Sequence, residues 1–163
     1  MTQEQDKTVF YAKDIHQMNL VLGKFLQKSG AETVLLVDHG GGLIARQGET
    51  SPTGEDTIAA LVAGTFAASQ AMAEMLGAEE FSSLVPCGDD RNLLLLRAGD
   101  RALVAVAFGD DTSVTLIRTY ALEAIRRILA ILASHHAATD HDEQIQGQRF
   151  DKEIDGALSD VFG

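Results

Sequence analysis

Two pairs of apolar runs, each broken by a glycine-bearing turn, most constrain the fold of this chain. The first is TVLLVD, residues 33 to 38, then HGGG, residues 39 to 42, then LIARQ, residues 43 to 47. Glycine is free to take positive φ, so HGGG suits a tight reversal between two strands. The second pair is NLLLLRA, 92 to 98, and ALVAVAF, 102 to 108, joined by Gly99-Asp100-Arg101. Both pairs read as β-hairpins. A further short strand is expected within 82 to 87. Hairpins of this kind argue for an antiparallel sheet with helices packed on it, an α+β arrangement.

Helices flank the hairpins. Ile15, Met18, Leu22, Phe25 and Leu26 recur at helical spacing over 14 to 28, and Gly30 can stop that helix. Thr53-Gly54-Glu55-Asp56-Thr57 reads as a helix start, with capping residues and negative charge at the positive end of the dipole. That helix is predicted to run to about Leu76, with Gly77 just beyond its end. A third spans about 115 to 135, with Leu122, Ile125, Leu129 and Leu132 on one stripe. The predicted order is αββαβββα, then a tail, with no internal repeat.

The helix over 56–76 carries the sharpest local signal. At 100° per residue, Ile58, Leu61, Val62, Phe66, Met72 and Leu76 gather on one side, which is predicted to be the core face. The opposite side holds Ala60, Ala63, Gly64, Ala67 and Ala71, with Gln70 and Glu74 as its polar members. A solvated helix face normally collects Lys, Glu and Arg. A face of alanine and glycine lets another backbone approach closely, and Gly64 in mid-helix costs up to about 1 kcal/mol relative to alanine. This face is therefore predicted to meet a second copy or a partner. The alternatives are plain solvent surface and burial inside the monomer.

The end of the chain is the second signal. In FDKEIDGALSDVFG, Phe150, Ile154, Ala157, Leu158 and Val161 fall on one helical face, flanked by carboxylates. A polar stretch, ATDHDEQIQGQ, precedes it. This reads as a tethered amphipathic segment that docks in a groove, with Phe150, Ile154, Leu158 and Val161 as its contact residues; the alternatives are a last helix folded back on its own domain and a disordered end. The expected organisation is a flexible N-terminus over 1–12, one domain over 13–136, and an acidic linker with the amphipathic segment over 137–163.

Composition excludes several classes. One cysteine, Cys87, allows no internal disulfide, which fits a reducing compartment. The formal net charge of -11 repels phosphate backbones, so no nucleic acid is expected as a partner. The polar N-terminal stretch carries no readable secretion signal. No run of about 18 apolar residues occurs, so no transmembrane segment is expected. There is no GxxxxGK[ST], hence no nucleotide-hydrolysing P-loop. HGGG resembles an esterase oxyanion loop, but no GxSxG accompanies it. Cys87 reads as structural rather than nucleophilic. His135, His136, His141 and Asp142 lie where a helix gives way to a polar tail, and no metal or cofactor is expected. Asp89-Asp90 and Asp110-Asp111 read as turn carboxylates. Arg91, Arg97, Arg101 and Arg118 have the chemistry of arginine fingers, yet nothing in their context singles one out.

The stretch VLLVDHGGGLIARQGE resembles the first hairpin of Roadblock/dynein light chain domains. DTIAALVAGTFAASQAMAEMLG is similar to the central helix of their bacterial members, with an LxAGxxAA core in Leu61 to Ala68, and NLLLLRAGDRALVAVAFGDDTSVTLIR is similar to the last two strands and the lead into the final helix. The resemblance covers roughly residues 14 to 135. The LVAG run in Leu61 to Gly64, the Leu76-Gly77 pair and the terminal LSDVF resemble the MglB branch of the family. Phe66 stands where some relatives carry alanine.

The resemblance implies a Roadblock/profilin-like fold: a five-stranded antiparallel sheet between a central helix and two terminal helices. It implies a cytoplasmic homodimer concentrated at a cell pole, acting in cell polarity or motility. It also implies a regulator without its own catalytic site, which binds a small Ras-like GTPase of the MglA type and speeds its GTP hydrolysis without an arginine finger. The contact helix then corresponds to the face with Ala60, Gly64, Ala67 and Ala71, and the C-terminal segment to a second GTPase contact. The alternatives are a Roadblock scaffold that leaves hydrolysis unchanged and a small-molecule sensor using a cleft of the fold.

Overall fold

In the computed structural model, residues 12–49, 54–79, 83–84 and 88–134 are described. Helix α1 (Ala12–Ser29) leads into β1 (Thr33–Asp38) and β2 (Leu43–Gly48), followed by α2 (Glu55–Met75). Then come β3 (Ser83–Leu84), β4 (Arg91–Ala98) and β5 (Ala102–Gly109). Helix α3 covers residues 114–134. The chain divides into two compact units, Met1–Leu129 and Ala130–Gly163, and of the second only the helical residues 130–134 are described.

The five strands pair antiparallel in the order β2-β1-β5-β4-β3, four of them long and β3 only two residues. The central strands explain why TVLLVD and ALVAVAF do not alternate apolar with polar. Both faces are covered, so Val34 and Leu36 are buried on one side while Leu35 and Val37 are buried on the other. The edge strand β2 has only Ala45 fully buried.

Helix α2 lies on the side of Leu35 and Val37, where Ala59, Val62 and Phe66 meet Leu95, Leu103 and Ala105. Helix α1 takes the opposite side. Gln47 pairs with Val34 and so shares its face, and there its amide donates to Asn19 Oδ1 at 3.2 Å. Met18, Leu22 and Phe25 of α1 are buried, as are Ile117, Ala121, Ala124 and Ile128 of α3. Burying the larger of these, Met18, Leu22, Phe25, Ile117 and Ile128, contributes about 1.5–3 kcal/mol each.

Three expectations need correction. The core face of α2 is not the one its largest residues suggest. Ala59, Val62, Phe66, Ser69 and Ala73 are buried, whereas Leu61 is 64% exposed and Ile58, Met72 and Leu76 are exposed with it. Only Val62 and Phe66 of the expected core set are in the core. Small residues let the helix axis sit close to the sheet, and Ser69 loses nothing by burial because its hydroxyl donates to the Phe66 carbonyl at 2.7 Å. The stripe expected on α3 is likewise displaced: Ile125 is buried, but Leu122 and Leu129 are exposed. Finally, α2 starts at Gly54 with no side-chain cap bond. Glu55 instead pairs with Arg46 of β2 at 2.8 Å, which ties the helix start to the sheet edge.

Two glycines are needed for geometry. Gly41, at φ +90, turns the β1–β2 hairpin so closely under α2 that a Cβ would lie 3.1 Å from the Ala60 Cα. Gly48, at φ +100, ends β2 where a Cβ would lie 2.2 Å from the Glu32 carbonyl oxygen. Gly48→Ala combines a positive-φ strain with a backbone clash, so it is expected to destabilise the fold by about 2–3 kcal/mol, read from the urea midpoint at unchanged m value.

Candidate functional site

The outward side of α2 is the feature of this fold that most needs a partner. With the buried residues centred on the sheet, 100° steps place Gly64 and Ala71 directly opposite them. Ala60, Ala67 and Ala71 are exposed as well as Gly64, and a Cβ built on Gly64 meets nothing within 4 Å. Ala63 differs from the other four, because it is half-buried against the core cluster. Ala60 is also approached by the Gly41 turn of its own chain.

Beside the small residues stand large ones that their size alone assigns to the core. Met75 and Leu76 are 88% and 76% exposed, and Leu61 and Met72 share that exposure. Asp56 and Glu74 border the strip by helical spacing; no charged side chain stands between them and Leu61 on the outward side. An apolar strip of this length facing water marks an interaction surface. The signal was present in the sequence, since a helix apolar all round needs cover all round. By length and composition Glu55–Met75 could cross a membrane, but it lies against the sheet, with 33% of its most apolar window buried. Next to Ile58 the strip runs into a recess of about 300 Å³ floored by Leu35, Leu93, Ala105 and Ala107.

The remaining chemistry-bearing residues are tied into turns and edges. In the HGGG turn, Gly42 N–H donates to Asp38 Oδ1 at 3.0 Å, so this amide is used within the hairpin. Asp110 accepts from the Asn92 amide at 3.2 Å. Arg97 pairs with Asp100 at 3.3 Å and Arg91 with Glu32 at 3.9 Å, while Arg118 donates to the Ser83 hydroxyl. Among the described residues, no group of three or more His, Cys, Asp and Glu is placed to hold a metal ion. Cys87, His135, His136, His141 and the contact residues Phe150, Ile154, Leu158 and Val161 lie outside the described residues.

Comparison with known proteins agrees with this architecture. The family model for the Roadblock/LC7 domain matches residues 18–108. Myxococcus xanthus MglB superposes with a TM-score of 0.72 at 29% identity, covering 77% of this chain and 95% of that one. The gliding protein MglB from Thermus thermophilus gives a TM-score of 0.69 at 30% identity, covering 76% and 93%. A Roadblock/LC7 domain from Streptomyces avermitilis shares the fold at 17% identity, with a TM-score of 0.66 over 71% and 97%. No curated protein sequence matches. The family match spans more than half of the chain, from inside α1 to the end of β5, and on that ground the protein belongs to the Roadblock/LC7 domain family.

Proposed function

We propose that this protein is a homodimeric regulator that binds a small Ras-like GTPase of the MglA type and stimulates its GTP hydrolysis, without a catalytic site of its own. The observation that carries the reading is the exposed, uncharged outer side of α2, with Ala60, Gly64, Ala67 and Ala71 beside Leu61 and Met72. Similarity to two MglB proteins at 29% and 30% identity supports the choice of partner. The Thermus protein is named a gliding protein, which supports a role in motility; a role in cell polarity, in the cytoplasm and concentrated at a cell pole, belongs to the same proposal.

The small residues permit α2 helices of two protomers to approach across a twofold axis. Leu61, Met72 and Met75 then supply the apolar area around that contact. A dimer of this kind acts by preferring the GTP-bound form of its partner and holding the partner's catalytic loop in its reactive arrangement. No arginine finger is required of this chain in that mechanism. Every tenfold rise in rate corresponds to about 1.4 kcal/mol of barrier.

Single-turnover hydrolysis of GTP by an MglA-type GTPase, with and without saturating protein, tests the reading. Stimulation of about tenfold or more is expected. Binding without any change in the rate would replace it by the scaffold reading, and absence of binding would overturn both.

A further inference from the structure

The chain is acidic, with a net charge of -11, but one flank of α3 is not. At 100° per residue, Arg118, Leu122, Arg126 and Leu129 fall on one stripe, and no carboxylate of the helix shares it. Leu122 and Leu129 are 42% and 37% exposed. This is the leucine stripe that the sequence marks as core and that the fold leaves uncovered.

The stripe borders a recess of about 410 Å³ at the β4 edge, lined by Ser83, Leu96, Arg97, Gly99, Arg118 and Leu122, with Asp100 at its mouth. Leu96 forms a buried floor at 3% exposure. Gly99 lets Leu129 close in, since a Cβ there would stand 2.8 Å from Leu129 Cδ2. Arg118 is held at the rim by its bond to the Ser83 hydroxyl. Asp100 offsets Arg97, leaving Arg118 and Arg126 to set the sign of the rim. The result is an apolar groove bordered by Arg118 and Arg126 on a molecule of net negative charge.

Such a groove suits a helix with an apolar stripe and carboxylates beside it. The chain's own end has that composition. Phe150, Ile154, Leu158 and Val161 recur at helical spacing, with Asp151, Glu153, Asp155 and Asp160 against the one cation Lys152. We propose that the α3 flank of one copy receives the acidic C-terminal segment, residues 150–161, of a second copy. This inference does not rest on the GTPase reading. It adds to it, because a segment held by another copy is withheld from any GTPase.

A fluorescein-labelled peptide of residues 148–163, titrated with the full-length protein, tests the proposal by anisotropy. Saturable binding is expected, at least about tenfold weaker at 300 mM than at 50 mM salt because the contact is charged and exposed. Arg118→Glu with Arg126→Glu is expected to weaken binding by about tenfold or more. A peptide carrying Asp151→Lys and Asp155→Lys is expected to recover affinity for that variant and to lose it for the wild type. Should the double variant fail to fold, judged by circular dichroism, Leu122→Gln provides the same test through the apolar wall. No saturation at about 1 mM protein, or binding that ignores all of these changes, would overturn the proposal. Loss of binding on changing Ala67 and Ala71 alone would also overturn it, by moving the site to α2.

Discussion

Replacing Ala67 and Ala71 together by arginine is expected to yield a folded protein that is monomeric at about 10 µM and no longer stimulates GTP hydrolysis. Both positions are exposed on the side of α2 away from the sheet, so the fold itself has little to lose. Arginine is also a good helix former, within a few tenths of a kcal/mol of alanine. At a twofold contact, however, each arginine comes close to its own copy across the axis. Like charges set against one another in an interface cost several kcal/mol, and about 2.8 kcal/mol is already a hundredfold in affinity. Light scattering on the eluting protein reads the oligomeric state, circular dichroism the fold, and single-turnover hydrolysis the activity. A folded double variant that stayed dimeric and stimulated normally would remove this surface from the account.

The second large effect separates the two sides of α2. Phe66→Ala is expected to destabilise the protein by about 3–5 kcal/mol, because the ring is 2% exposed in the cluster with Leu35, Val37 and Leu103. Leu61→Ala, at 64% exposure, is expected to cost under about 1 kcal/mol in the monomer. Leu61 contributes to any dimer as well, so both changes belong in the Ala67→Arg, Ala71→Arg background, where unfolding does not depend on protein concentration. Urea denaturation supplies the two values. Equal costs, or a greater cost at Leu61, would mean that the helix turns its other side to the sheet.

Much of the architecture was legible because local physics decides it. HGGG between two strand runs and Gly99-Asp100-Arg101 between two others specify hairpins through turn chemistry that needs no distant contact. Helix α1 was readable to within about two residues at each end, and Met18, Leu22 and Phe25 of its expected apolar side are buried, while Ile15 and Leu26 are half-buried. Helix α2 offered no such contrast. Its residues are apolar around most of the circumference, so periodicity selected the bulkiest ones, Leu61 and Met72 among them. Helix α3 misled in part, since Leu122 and Leu129 outweigh Ala121 and Ala124 by size alone, yet the alanines are buried beside Ile117, Ile125 and Ile128 and the two leucines are exposed.

The candidate surface was legible in part for the reason that the core was misread. A helix that is apolar around most of its circumference signals two covered sides without saying which side is which. The small residues Ala60, Gly64, Ala67 and Ala71 were recognisable as a platform because only Gln70 and Glu74 on that side are polar. Their large neighbours were missed because size was taken to mean burial. The groove beside α3 depends on Leu96, Gly99 and Arg118, which are distant along the chain and meet only when β4 and α3 pack together.

The sequence by itself determined the elements, their order and the reversals between them, since each depends on neighbours a few residues away. Tertiary structure alone decided which side of α2 and of α3 faces the sheet. Close approach of a helix to a sheet needs small side chains between the large ones, such as Ala59 and Ala73 around Phe66 and Ala121 and Ala124 around Ile117 and Ile128, and that need exists only once the two surfaces are in contact.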